Sequence, residues 1–176
     1  MRQLPTLLAP SGPSPSGILI RAVDGADSEG LRSFYEHLSA ESRRSRFLGS
    51  GARVSTRQCE AFCHVDHQHR EGFVAVLSEL GPRDGLIVGH LCLEPADHGR
   101  EEIALAVADA FQGRGIGRQL VRAAVDWARK QGTHELVATA FASNARILRL
   151  LRSIPGEPSV LAADGGLVEA VIPLAA

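Results

Sequence analysis

The segment Gln112-Gly113-Arg114-Gly115-Ile116-Gly117 carries the densest chemical signal in the chain. Three alternating glycines suit a helix interior poorly, since each lowers helix stability by roughly 1 kcal/mol relative to alanine. They suit a backbone that must turn tightly and approach a ligand with no Cβ in the way. A helix starting here presents N–H groups that lack intrahelical acceptors and carry positive partial charge, a ready cradle for a pyrophosphate. Two other nucleotide motifs fail. A P-loop needs Lys and then Ser or Thr after its last glycine, whereas Arg118-Gln119 follow here. A dinucleotide fingerprint needs Gly-x-Gly-x-x-Gly early in a parallel unit, whereas Gly113-x-Gly115-x-Gly117 follows strands that read as antiparallel. A glycine-rich turn with no ligand has the same composition, and that reading stays open at this level.

Just upstream, alternation places Glu102, Ala104 and Ala106 on one strand face and Ile103, Leu105 and Val107 on the other. A carboxylate beside two small residues leaves room for a substrate, which makes Glu102 a candidate base. A solvated strand-end acid is the ordinary alternative, and Glu101 beside it shows that acids occur there anyway. Cys59, Cys63 and His67 fall at intervals of four, with His64 and His69 nearby, and zinc accepts such ligands. The paired-cysteine spacing of structural zinc sites is absent, so buried thiols and surface histidines are expected instead. Arg43, Arg44 and Arg46 read as a solvated charged face.

These groups need elements to hold them. Residues 1 to 16, with Pro5, Pro10, Pro13 and Pro15 among Ser and Gly, read as a flexible leader. Ile18 to Val23 reads as a first strand, and Asp24 as the cap of a helix with Leu31, Phe34, Tyr35 and Leu38 on its inner side. Ser39 is expected to cap a short second helix over Ser42 to Phe47, ended by Gly49 or Gly51. The stretch Thr56 to Arg70 suggests a third. Phe73 to Leu80 and Leu86 to Leu93 read as antiparallel strands around the turn at 81–85. Pro95 to Gly99 reads as a turn, Glu101 to Val107 as a strand, and Gly115 to Lys130 as a helix closed by Gly132. On that helix Ile116, Leu120, Ala124, Trp127 and Ala128 form one apolar stripe. Glu135 to Ala140 reads as a strand, and Ser143 as the cap of a helix holding Ile147, Leu148 and Leu151. Ser159 to Ala162 and Leu167 to Pro173 form a last hairpin around Asp164-Gly165-Gly166. The sum is an α/β (α+β) fold, a mixed, largely antiparallel sheet flanked by helices.

At 176 residues and 44% hydrophobic, residues 17–176 fit one domain with a sizeable core. A formal charge of -1 with no basic repeat gives no support to a nucleic-acid surface. Three cysteines make no disulfide framework, and no charged start precedes a long apolar run. A cytoplasmic protein off the membrane is therefore expected. The last hairpin offers an edge for pairing with a second copy, so a homodimer is a permitted assembly.

The run from Glu102 through Gly117 resembles the central motif of the Gcn-related N-acetyltransferase (GNAT) superfamily, a strand followed by Gln/Arg-x-x-Gly-x-Gly/Ala. Gln112, Gly115 and Gly117 stand at its defining positions. The resemblance implies acetyl-CoA as cosubstrate, its pyrophosphate on the backbone of Gln112, Gly113, Arg114, Gly115, Ile116, Gly117 and Arg118. It also implies pantetheine contacts at Leu105, Ala106 and Val107, a further cofactor contact at Asn144, and Glu102 as general base acting through water. Ser39-Ala40-Glu41-Ser42-Arg43-Arg44-Ser45-Arg46-Phe47 is similar to a Ser-x-Glu-Ser-x-x-x-Arg-Phe segment of bacterial protein-lysine acetyltransferase-like members. The implied activity is acetyl transfer to a primary amine, on a protein lysine or a small molecule. Two departures stand out. The helix Asn144 to Leu151 has no tyrosine to act as general acid, and Arg152 to Glu157 lacks the usual Gly-Phe pair. They keep open a non-catalytic acetyl-CoA sensor or regulatory subunit.

Overall fold

The computed structural model describes residues 17–49, 53–78, 85–156, 158–162 and 164–174. The proline-rich leader and the turn at 81–84 lie outside the described residues. Among the described residues seven strands form one sheet: β1 (Ile18–Ala22), β2 (Glu71–Leu77), β3 (Leu86–Ala96), β4 (Arg100–Val107), β5 (Glu135–Phe141), β6 (Ser159–Ala162) and β7 (Leu167–Pro173). Their order is β1-β2-β3-β4-β5-β7-β6, antiparallel at every step except β4 beside β5. The α-helices of the described residues cover it: α1 (Ser28–His37), α2 (Ala40–Phe47), α3 (Thr56–Cys63), α4 (Ile116–Lys130) and α5 (Ala145–Arg152). The mixed, largely antiparallel sheet flanked by helices is the expected fold class.

The sheet carries a separate core on each face. On one side the apolar stripe of α4 (Ile116, Leu120, Ala124, Trp127 and Ala128) packs with Leu91, Leu93, Ile103 and Leu136, joined by Leu151 of α5. On the other, Leu31, Phe34 and Tyr35 of α1 and Cys59 and Cys63 of α3 pack on Val74, Val76 and Ala106. The first turn of α4 draws close to α5 at Gly117, where a Cβ would lie 3.1 Å from the Leu150 side chain. Gly117 thus answers a packing constraint, not a need for positive φ.

Several boundaries differ from the sequence reading. Pro95 continues β3, opposite Glu101, because β2 ends at the level of Leu93 and leaves that side of the strand without a partner. Asp24 caps a short 3-10 turn ahead of α1 through a capping box. Leu48, at φ 51°, takes the left-handed position after α2 that glycine was expected to fill. Asn144, not Ser143, caps α5: its side chain accepts from Ile147 N–H at 3.2 Å. The third helix stops at Cys63, so His67 lies in a loop bonded to Glu71 and off the face of Cys59 and Cys63. Among the described residues no three His, Cys, Asp or Glu gather closely enough to hold a metal, and no helix is long and apolar enough to cross a membrane.

The second core contains a polar centre. His90 of β3 is fully buried, its Nδ1 2.7 Å from the Tyr35 hydroxyl, while its Nε2 has no partner among the described residues. Burial, and then the neighbouring Arg46 guanidinium, push the imidazole down to about 3. An unfolded histidine titrates near 6.5, so the native state binds fewer protons than the unfolded chain as the pH falls below that value. Stability from this site is complete above pH ~6.5 and declines toward pH ~3 by up to about 1.4 kcal/mol per unit. A urea-unfolding series between pH 6.5 and 5 should show this slope, and His90→Asn should flatten it. At the helix contact, Gly117→Val should cost about 1–3 kcal/mol through overpacking, with partial recovery in the double variant Gly117→Val/Leu150→Ala.

Candidate active site

Strands β4 and β5 stay in register only at Glu101 opposite Leu136 and Glu102 opposite Val137, and then part. The rest of β4 keeps its ladder with β3, and the rest of β5 keeps its own with β7. Facing backbone groups of 103–107 and 138–141 therefore lack strand partners on the side where the two diverge. A buried backbone group without a partner is costly, so this opening needs water or a ligand with amides of its own. The gap widens into a cavity of about 1090 Å³, lined by both strands, the loop before α4, α2 and α5. That volume suits a large extended cofactor.

The loop at the cavity's end takes its shape from glycine. Gly113 and Gly115 have φ of 76° and 81°, and a Cβ at either would meet nothing within 4 Å. Both are required by left-handed backbone and leave open space above it. Gly115 is the N-cap of α4 and makes no side-chain cap bond, so the first N–H groups of a 15-residue helix stay available at the cavity. Three residues anchor this loop. Gln112 Nε2 donates to the Val107 carbonyl at 3.1 Å and to Ser42 Oγ at 3.2 Å, while its Oε1 accepts from Arg146 at 2.7 Å. The Gln112 side chain is therefore committed to the protein, and its backbone N–H donates to the Asp109 carbonyl at 3.3 Å.

Asp109 was not singled out in the sequence, yet it is the joint between this loop and α2. Its carboxylate accepts from Ser39 N–H at 2.9 Å, Ser39 Oγ at 2.8 Å and Ser42 Oγ at 2.7 Å. Partial burial works against the charge, but these bonds outweigh it and hold the carboxyl below its ordinary value. The spaced serines of the Ser39–Phe47 segment thereby acquire a physical reason, since both grip Asp109.

Arginines dominate the cavity wall: Arg44, Arg46, Arg118, Arg146 and Arg149, against Glu41 and the already engaged Asp109. Such a surface favours a polyanion. Arg44 lies over the Phe141 ring at 4.5 Å, and Arg118 has no side-chain partner among the described residues. Arg114 is exposed, sits over Phe111 at 5.2 Å and does not line the cavity. Leu105, Ala106, Val107, Ile116, Gly117 and Asn144 all line the cavity, although Asn144 spends its side-chain oxygen on the cap of α5.

Glu102 stands at the base of the parting, exposed and opposite Glu94, on the strand face of Ala104 and Ala106. Ile103 and Ala104 line the cavity and Glu102 does not. Its neighbour Glu101 is half-buried, with one carboxylate oxygen enclosed and without a partner among the described residues. Burial, and then nearby Glu94, push that carboxyl up. Strand alternation separates the faces of the two acids but not their burial, which arises from neighbouring strands. Tyr35, the single tyrosine of the chain, is buried against His90 and so far from α5 in role that no tyrosine serves the cavity.

Known proteins share this architecture. The chain is 32% identical over 129 residues to the acetyltransferase PA5475 of Pseudomonas aeruginosa, covering 72% of the chain and 68% of the relative. The GNAT domain of S. lividans PAT superposes with a TM-score of 0.77 at 25% identity, over 89% of this chain and 90% of that one. The Salmonella typhimurium protein yncA, solved with acetyl-CoA as its cofactor, has the same fold: a TM-score of 0.70 at 22% identity, covering 92% and 96%. The model of the acetyltransferase (GNAT) family matches residues 31–154, from α1 to just past α5. With most of the chain matched and the parted strands and glycine loop at its centre, this protein belongs to the acetyltransferase (GNAT) family.

Proposed function

We propose that the chain transfers an acetyl group from acetyl-CoA to a primary amine, on a protein lysine or a small molecule, with Glu102 as general base. The observation that carries this reading is the parting of β4 and β5 beneath the glycine cradle. A pyrophosphate suits the N–H groups of Gly113 to Gly117 and the charge of Arg118. A pantetheine arm, which has amides of its own, suits the β4 edge along Leu105, Ala106 and Val107, which has no strand partner on the side of β5. Acetyl-CoA supplies an activated acyl carbon when bound. The protein's own task is then to remove a proton from the incoming ammonium group, position the amine, and keep the strand edge aligned.

The exposure of Glu102 where the two strands begin to separate supports it for the first task, taking the proton directly or through water. Ser42 and Gln112 perform the alignment by tying α2 and α5 to the end of β4. With no tyrosine at the cavity, the proton that accompanies release of the thiol comes from water or from the protonated carboxyl. That same absence favours a second reading, an acetyl-CoA-binding protein without turnover. The resemblance of the Ser39–Phe47 segment supports a protein lysine as acceptor.

Calorimetry with acetyl-CoA, followed by thiol release across a panel of amines and lysine peptides, separates the readings. Binding with acceptor-dependent thiol release is expected. Tight binding with no release to any acceptor would favour the sensor. Glu102→Gln should retain acetyl-CoA affinity and lose roughly 10²–10⁴-fold in rate near neutral pH. Glu101→Gln, run in parallel, should turn over close to the parent. A reversal of that pattern would reassign the base to the half-buried neighbour.

A further inference from the structure

Arg46 lines the cavity but is matched to no particular ligand group in the reading above, and its surroundings are unusual for an arginine. It projects from α2 into the cavity wall, half-buried, with its Nε enclosed and without a hydrogen-bond partner among the described residues. Nη2 donates to the Cys92 sulfur at 3.0 Å. The guanidinium lies over Phe47 at 4.9 Å and near Phe62 at 5.7 Å, which holds it in one plane. Behind it stand Tyr35 and His90, bonded to each other.

None of these neighbours carries a negative charge at neutral pH. Burial raises the Cys92 thiol and the Tyr35 phenol alike, more than the arginine lowers either. No carboxylate pairs with Arg46 among the described residues, although Arg21, Arg32, Arg70 and Arg100 each have one. An enclosed guanidinium without a counter-ion is expensive unless something else brings the charge. The pyrophosphate cradle does not reach it. Cys92 lies opposite Ala104, whereas Gln112 joins the strand at Val107, three residues or about 10 Å further along. Arg46 thus faces the stretch of β4 between Glu102 and the cradle, where the acyl group and the accepting amine must meet.

We propose that Arg46 is a specificity-determining residue that binds a carboxylate carried into the inner cleft, either at the end of the acyl chain or on the acceptor amine. This inference rests on the reading of the cleft as an acyl-CoA site. The planar guanidinium fork, pinned by Cys92 and the two rings, matches a carboxylate in a way that a lysine ammonium does not.

The test has two binding arms, both on the full chain. In the acyl arm, dissociation constants are measured for CoA, acetyl-CoA and succinyl-CoA. In the acceptor arm, with CoA bound, free amino acids are compared with their carboxamides. In one arm the carboxylate form should bind about tenfold or more tighter than its neutral counterpart. Arg46→Gln should erase that advantage, with any change in CoA affinity shared equally by the charged and neutral ligands, and Arg46→Lys should restore only part of it. Equal binding of charged and neutral ligands by the parent protein in both arms would overturn the proposal, as would an advantage that survives Arg46→Gln. Should Arg46→Gln not fold, the parent comparison and Arg46→Lys still decide. Failure of CoA itself to bind would overturn the acetyltransferase reading and this inference together, whereas CoA binding without carboxylate preference would remove only the inference.

Discussion

The parting of β4 from β5 is the constraint on which the rest of the molecule depends. Two neighbouring parallel strands ordinarily satisfy each other along their length, and here they do so for two register pairs only. Each strand is tied on its outer side, β4 to β3 over eight residue pairs and β5 to β7 over seven, so neither can swing back to close the gap. The opening is therefore a rigid consequence of the ladders on either side. It leaves a polar backbone edge inside the protein, and that edge defines the class of ligand the fold can take.

What surrounds the opening is arranged to keep it in shape. Asp109 grips the start of α2 through Ser39 and Ser42, and Gln112 links the same helix to β4 and to α5. These contacts join segments about 70 residues apart in the chain. The arginines on the cavity wall then act in different ways according to their partners. Arg146 serves the loop through Gln112, Arg44 rests on an aromatic face, and Arg46 is enclosed against a thiol. Residue type alone predicts a uniform charged surface, but burial and neighbours give each arginine a different set of partners.

The glycine loop was legible because its cause is local. Positive φ at Gly113 and Gly115 follows from tight-turn chemistry that needs no distant partner. The stripe of α4 and the hairpin at Asp164-Gly165-Gly166 were legible for the same reason, since periodicity and turn residues act over a few positions. Gly117 was legible as a position but not as a cause, because the Leu150 side chain that requires it arrives from another helix. Pro95 misled, as its tolerance within β3 depends on where β2 happens to end. Ser143 misled by one residue, a slip of the size at which helix caps are commonly misplaced.

By itself, the amino-acid sequence determined the element types, the fold class, the glycine loop before the fourth helix and, through its motif, the family. Only the tertiary structure decided that Asp109 is a joint, that Glu101 and Glu102 differ in burial, and that Arg46 is enclosed without a carboxylate. The division has one physical reason. Backbone conformation and amphipathic periodicity are set by interactions between near neighbours. Solvation, hydrogen-bond partnership and charge compensation depend on what strands and helices distant in the chain bring alongside.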